Sequence, residues 1–130
     1  MKKSIDIKVG DKTYSLMYNT KALAAAERSI GRSLVFMLGQ VMVNPSMGNA
    51  INIDFTVACL NAGIQDQPKN FDAYDFIDAY CEQGGNLDEL NAYIFEAIIA
   101  SGLFIKGGQQ ATEKAIQAYR RVLAPLESKA

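Results

Sequence analysis

A chain of 130 residues, 49% hydrophobic and 21% charged, is long enough to bury one core without disulfide or metal support, and its composition excludes extended disorder. A formal net charge of -1 and a pI near 5.4 leave no positive field to hold nucleic acid and favour a protein partner instead. With no histidine and two cysteines outside any CxxC spacing, the chain lacks an imidazole base, the Ser-His-Asp and Cys-His arrangements, and the ligands of a zinc site.

Met1-Lys2-Lys3-Ser4 opens like a signal peptide but passes directly into the alternation Ile5-Asp6-Ile7-Lys8-Val9, so no export is expected. Gly10-Asp11-Lys12 supplies turn residues, and Thr13 to Tyr18 alternates again with Tyr14, Leu16 and Tyr18 in phase. The pattern predicts a β-hairpin over residues 4–18. Asn19 or Thr20 then caps a helix carrying Leu23, Ala26, Glu27 and Ile30 on one side, and Gly31 closes it in a left-handed conformation. The small residues Ala24 to Ala26 let that helix lie close to the hairpin.

The apolar run from Ser33 to Val43 is too short for periodicity to separate a buried helix from a strand, and helix is the favoured reading. Gly39 and Gln40 interrupt it, and its length is about half of what a membrane-spanning helix needs. No membrane segment is expected. Asn44 to Asn49, with Pro45, reads as loop. Asp54 offers an N-cap to a helix with Phe55, Ala58, Cys59 and Ala62, which Gly63 ends.

Gln65 to Asn70, with Pro68, reads as a connection. Phe71 to Gln83 is amphipathic, with Phe71, Tyr74, Ile77 and Cys81 at helical spacing, and Gly84-Gly85 stops it. Cys59 and Cys81, both inside amphipathic stretches, read as buried reduced thiols of a cytosolic protein. Asn86, three residues before Glu89, opens a capping box for a helix with Leu87, Leu90, Ile94, Ala97 and Ile98 on one face. Gly102 and Gly107-Gly108 bracket Leu103-Phe104-Ile105 and form a hinge. Beyond it, residues 109–126 place Ala115, Ile116, Tyr119, Val122, Leu123 and Leu126 opposite Lys114 and Arg121, with Pro125 ending regular helix just before it. The sum is a mainly α (α+β) chain: an N-terminal β-hairpin and about five helices in one compact domain over 1–130, with a helical body over 20–104.

Few residues suggest chemistry. Gly102 and Gly107 have the spacing that opens a phosphate-binding loop, but Gly108-Gln109 stands where Lys-Ser or Lys-Thr is required. Asp72, Asp75 and Asp78 recur among Phe71, Tyr74, Phe76 and Tyr80, a pattern that suits a basic partner or Mg²⁺, or simply a solvated helix start where negative charge is favoured. Glu27 and Glu96 fall near the apolar sides of their helices, as boundary positions or as partners of a nearby Lys or Arg. No two carboxylates are placed in one cleft by any spacing, so no catalytic residue, cofactor or metal is assigned. Met37, Met42 and Met47 cluster in and after the apolar run, where adaptable thioethers suit either core filling or a partner surface.

The order of elements carries a resemblance. A hairpin of the form Ile-Asp-Ile-x-Val-Gly-Asp-Lys-Thr-Tyr-x-Leu precedes a helix ending Ala26-Glu27-Arg28-Ser29-Ile30-Gly31-Arg32-Ser33. Leu60-Asn61-Ala62-Gly63-Ile64, a Phe71 to Tyr80 helix and Ala97-Ile98-Ile99-Ala100-Ser101-Gly102-Leu103 follow. Over residues 5–105 the chain resembles the tail assembly chaperones of long-tailed bacteriophages, prophages and gene transfer agents. The resemblance implies a cytoplasmic, non-enzymatic factor, absent from the virion, that binds the tape measure protein and brings tail tube protein to it. It implies no catalytic residues and leaves open a longer frameshifted form. A structural virion component, such as a head-tail connector or minor tail protein, is the alternative, and an enzyme using carboxylates a distant third.

Helix-in-groove recognition of a helix-rich tape measure protein needs an apolar surface. The candidate joins Leu34, Phe36, Met37 and Met42 with Ile116, Tyr119 and Leu123 of the last helix. Exchange of that helix across the glycine hinge would make a homo-oligomer.

Overall fold

The computed structural model describes residues 4–44 and 52–127, with side chains as far as Arg121. Strands β1 (Ile5–Val9) and β2 (Lys12–Leu16) pair antiparallel, with Ile7 opposite Tyr14 and Val9 opposite Lys12. Gly10, at φ 63°, opens the two-residue turn in a region that a Cβ disfavours. The in-phase residues of the two strands turn inward, and Ile7 and Leu16 are fully buried.

Among the described residues six helices follow: α1 (Thr20–Ile30), α2 (Leu34–Val43), α3 (Ile53–Gly63), α4 (Ala73–Glu82), α5 (Leu87–Ala100) and α6 (Gly108–Glu127). Most of their starts are set by short polar side chains, which accept the otherwise unpaired N–H groups of a first turn. Asn19 accepts from Ala22, Asp72 from Tyr74 and Asp75, and Asn86 from Glu89. For α3 the cap is Asn52, which accepts from Phe55 at 3.0 Å. Asp54, expected to cap, instead lies inside the first turn, where its charge meets the positive end of the helix.

The hairpin is tied to the helices at both edges. After α3, Met17 N–H donates to Gly63 C=O at 2.9 Å and Gln65 N–H to Ser15 C=O at 2.8 Å, a one-residue bridge of Ile64 to Leu16. At the outer edge of β1 the Gln83 amide accepts from Gly10 N–H at 2.9 Å and donates to Lys8 C=O at 2.8 Å. One side chain thus satisfies a donor and an acceptor of an otherwise open strand edge.

Tyr18 approaches α3 closely in the core. Its phenol is fully buried and donates to Cys59 C=O at 2.7 Å. A Cβ on Gly63 would stand 2.6 Å from its ring and 2.7 Å from Leu16, so Gly63 is present for close packing rather than for an unusual φ. Burial, with Cys59 beside it, pushes the Tyr18 phenol well up; burial pushes the Cys59 thiol up to about 12. Between α3 and α5, Phe55 stacks on Phe95 with ring centres 5.3 Å apart, and the buried Thr56 hydroxyl donates to Asn91 Oδ1 at 2.6 Å.

Three expectations are corrected. On α4 the buried face is Ala73, Phe76 and Tyr80, while Tyr74 is 57% exposed and Cys81 is also exposed. The hairpin selects that stripe, since Tyr14 packs edge-on against Phe76 at 5.0 Å. Cys81 is therefore a surface thiol. Finally, α6 continues through Pro125 to Glu127, because a proline in a last turn forfeits only a single backbone bond.

Candidate interaction surface

The surface begins at the α1–α2 corner. Gly31, at φ 66°, ends α1, and its N–H donates to Glu27 C=O at 2.7 Å. The Glu27 carboxylate then accepts from Leu34 N–H at 2.8 Å, and the Ser33 hydroxyl from Phe36 N–H at 3.3 Å. Two side chains so anchor the start of α2, and an acid sits where the helix dipole favours one.

From that anchor the 3.6-residue repeat assigns the faces. Leu34, Met37, Leu38 and Val41 point into the core. Val35, Phe36 and Val43 point outward at 48%, 61% and 89% exposure, which leaves part of the apolar surface of α2 uncovered. Ile53, at the start of α3, is also exposed. No residue from Ser33 to Asn44 carries charge. Exposed apolar side chains grouped on one uncharged helix face are the usual mark of an interaction site.

Gly39 occupies the middle of the outward stripe, one turn from Val35 and one from Val43. Its φ is not left-handed, and a Cβ placed there would meet nothing within 4 Å. Nothing in the described fold requires glycine here, and glycine inside a helix costs about 1 kcal/mol relative to alanine. Beside the N-terminal end of the stripe, Arg28 and Arg32 are exposed and line a shallow depression with Ala24, Glu27, Gly31 and Ser33. Neither arginine pairs with a carboxylate among the described residues.

Of the residues named from sequence for this surface, Phe36 is exposed and Met42 half-buried. Leu34, Met37, Ile116 and Tyr119 are core residues, at 0%, 2%, 6% and 1% exposure. The last two pack α6 on α5, and among the described residues no comparable contact joins α6 to α2. The side chain of Leu123, the Met47 position and the expected loop beyond Asn44 lie outside the described residues. The sequence pattern alone does not mark Val35, Gly39, Val43, Arg28 and Arg32 as parts of this surface. The signal that finds them is a helical wheel over 34–43 anchored on the Ser33 cap.

Of the carboxylates that suggest chemistry, Glu27, Glu96 and Asp72 have structural roles. Glu27 caps α2, and Glu96 receives both arms of Arg120, Nε at 2.6 Å and Nη2 at 3.0 Å, which ties α6 to α5 and raises the guanidinium pKa through that hydrogen-bonded pair. Asp72 caps α4, while Asp75 and Asp78 face solvent. Glu89 accepts from the Tyr80 hydroxyl at 2.7 Å, and burial, followed by this bond, raises that phenol. Among the described residues no three Cys, Asp or Glu side chains converge, and no helix is long and apolar enough to cross a membrane. Gly102, Gly107 and Gly108 all adopt positive φ, and Gly102 and Gly108 border a cleft of about 190 Å³ at the start of α6, lined also by Ser101, Thr112 and Glu113.

Comparisons with protein-family models, with curated proteins and with solved structures return no match.

Proposed function

We propose that the chain is a non-enzymatic phage tail assembly chaperone that binds the tape measure protein through the outer face of α2 and promotes assembly of tail tube protein around it in the host cytoplasm. The observation that carries this reading is the exposed Val35, Phe36 and Val43 stripe on an uncharged helix whose other face is buried in the core. A helix so held presents a preformed apolar strip to a partner helix, and preformed surfaces lose little ordering entropy on binding. The succession of hairpin and helices over 5–105, on which the resemblance rests, supports the same reading.

The test is co-expression with the tape measure protein from the same phage or prophage, together with mass spectrometry of purified particles. The expected result is co-purification with the tape measure protein and absence from the particle. Recovery of the chain at stoichiometric levels in particles would assign it instead to the virion structure.

A further inference from the structure

We infer that Gly39 is a notch across which a partner's amphipathic helix crosses α2 at close range, and that this helix bears carboxylates over the Arg28 and Arg32 corner. The inference rests on the reading of α2 as the partner-binding helix and names the chemistry of what it binds. Gly39 lies between Val35 and Val43 on the outward face with open space above it. The absence of a Cβ lets an incoming helix approach more closely there, with the exposed Val35, Phe36 and Val43 interlocking around the contact.

Charge decides the kind of partner. The stripe is neutral, but the depression at its N-terminal end holds Arg28 and Arg32, neither paired with a carboxylate among the described residues. A second copy brings the same two arginines to the contact, and the carboxylate of that corner, Glu27, is already engaged by the Leu34 N–H. A foreign helix with an apolar stripe and acidic flanks satisfies both features, and charges of this kind govern specificity and rate of encounter.

The probes are two synthetic helical peptides with the same leucine stripe, one flanked by glutamates and the other by lysines, titrated into the full chain. The glutamate peptide should bind about tenfold or more tightly than the lysine peptide, lose affinity with added salt, and shift the backbone amide resonances of residues 35–43. Gly39→Ala should raise the thermal midpoint by about 3–5 °C, yet weaken the peptide about tenfold through overpacking. Gly39→Leu should abolish binding without unfolding the chain, and Arg28→Glu with Arg32→Glu should reverse the preference between peptides.

Binding of neither peptide, equal affinity for both, undiminished binding by Gly39→Ala, or self-association that occupies the stripe without peptide would each overturn the inference. The chaperone reading fails separately, through the particle composition and the tape measure co-purification described above.

Discussion

The Glu27 carboxylate reaches across the Gly31 turn to accept a hydrogen bond from the Leu34 backbone N–H at 2.8 Å. One acidic side chain near the end of α1 thus fixes the first turn of α2, and with it the direction in which Val35 and Phe36 project. Glu27→Ala leaves that N–H without its partner and should cost about 1–2 kcal/mol in urea unfolding, with Glu27→Gln losing less because an acceptor remains. Hydrogen exchange at Leu34 and Phe36 should accelerate in the alanine variant while the hairpin amides keep their protection.

Gly63 and Tyr18 make the second prediction. Gly63→Ala drives a methyl group into the Tyr18 ring and Leu16, and should destabilise the fold by about 2–3 kcal/mol. Tyr18→Phe keeps the ring but removes the 2.7 Å bond to Cys59 C=O; it should cost about 1 kcal/mol and leave Gly63→Ala unrescued. Chemical denaturation of the two single variants and the double variant checks both statements.

The two thiols should behave differently. Cys81 is exposed and Cys59 fully buried, so a thiol reagent should modify one cysteine per native chain rapidly and the second only on unfolding. The Cys59 thiol is raised from an ordinary value of 9.0 to about 12, which favours its neutral form in the fold. Its contribution to stability is therefore complete below about pH 9 and is lost as pH rises toward 12. The Tyr18 phenol shifts in the same direction, so Tyr18→Phe should flatten part of the alkaline fall in the unfolding midpoint.

Arg120 and Glu96 hold α6 on α5 through two hydrogen bonds. The arginine side chain is 56% exposed, so Arg120→Ala should cost no more than about 1 kcal/mol, an amount that shrinks in high salt. Its larger signature should be local: faster hydrogen exchange in residues 108–121, where the glycine turn at 107–108 leaves the helix held mainly by its packing on α5.

Much of this architecture is legible in the residues. Alternation through Tyr14, Leu16 and Tyr18 marks the hairpin because its two strands each bury one face. Asn19 and Asn86 mark helix starts because their side chains do the capping. Sidedness is not encoded where apolar residues fill both sides of a helix. Leu34 to Leu38 contains no polar residue to show which side faces water, so Met37 reads as surface from its chemistry although it is core. On α4, two aromatic stripes compete, and only packing against Tyr14 and Phe71 selects Phe76 over Tyr74. Gly39 looks like an interruption in an apolar run; its place at the centre of an exposed stripe exists only once the Ser33 cap sets the register.

The most direct test of the α2 surface is the affinity of the full chain for tape measure protein, measured by quantitative co-purification for Phe36→Glu and Val43→Glu, with Tyr74→Glu on α4 as an exposed control. All three positions are solvent-facing, so circular dichroism should show folded variants. The account predicts that the two α2 variants lose about tenfold or more in binding while Tyr74→Glu matches the wild type. Wild-type binding by folded Phe36→Glu and Val43→Glu would contradict it.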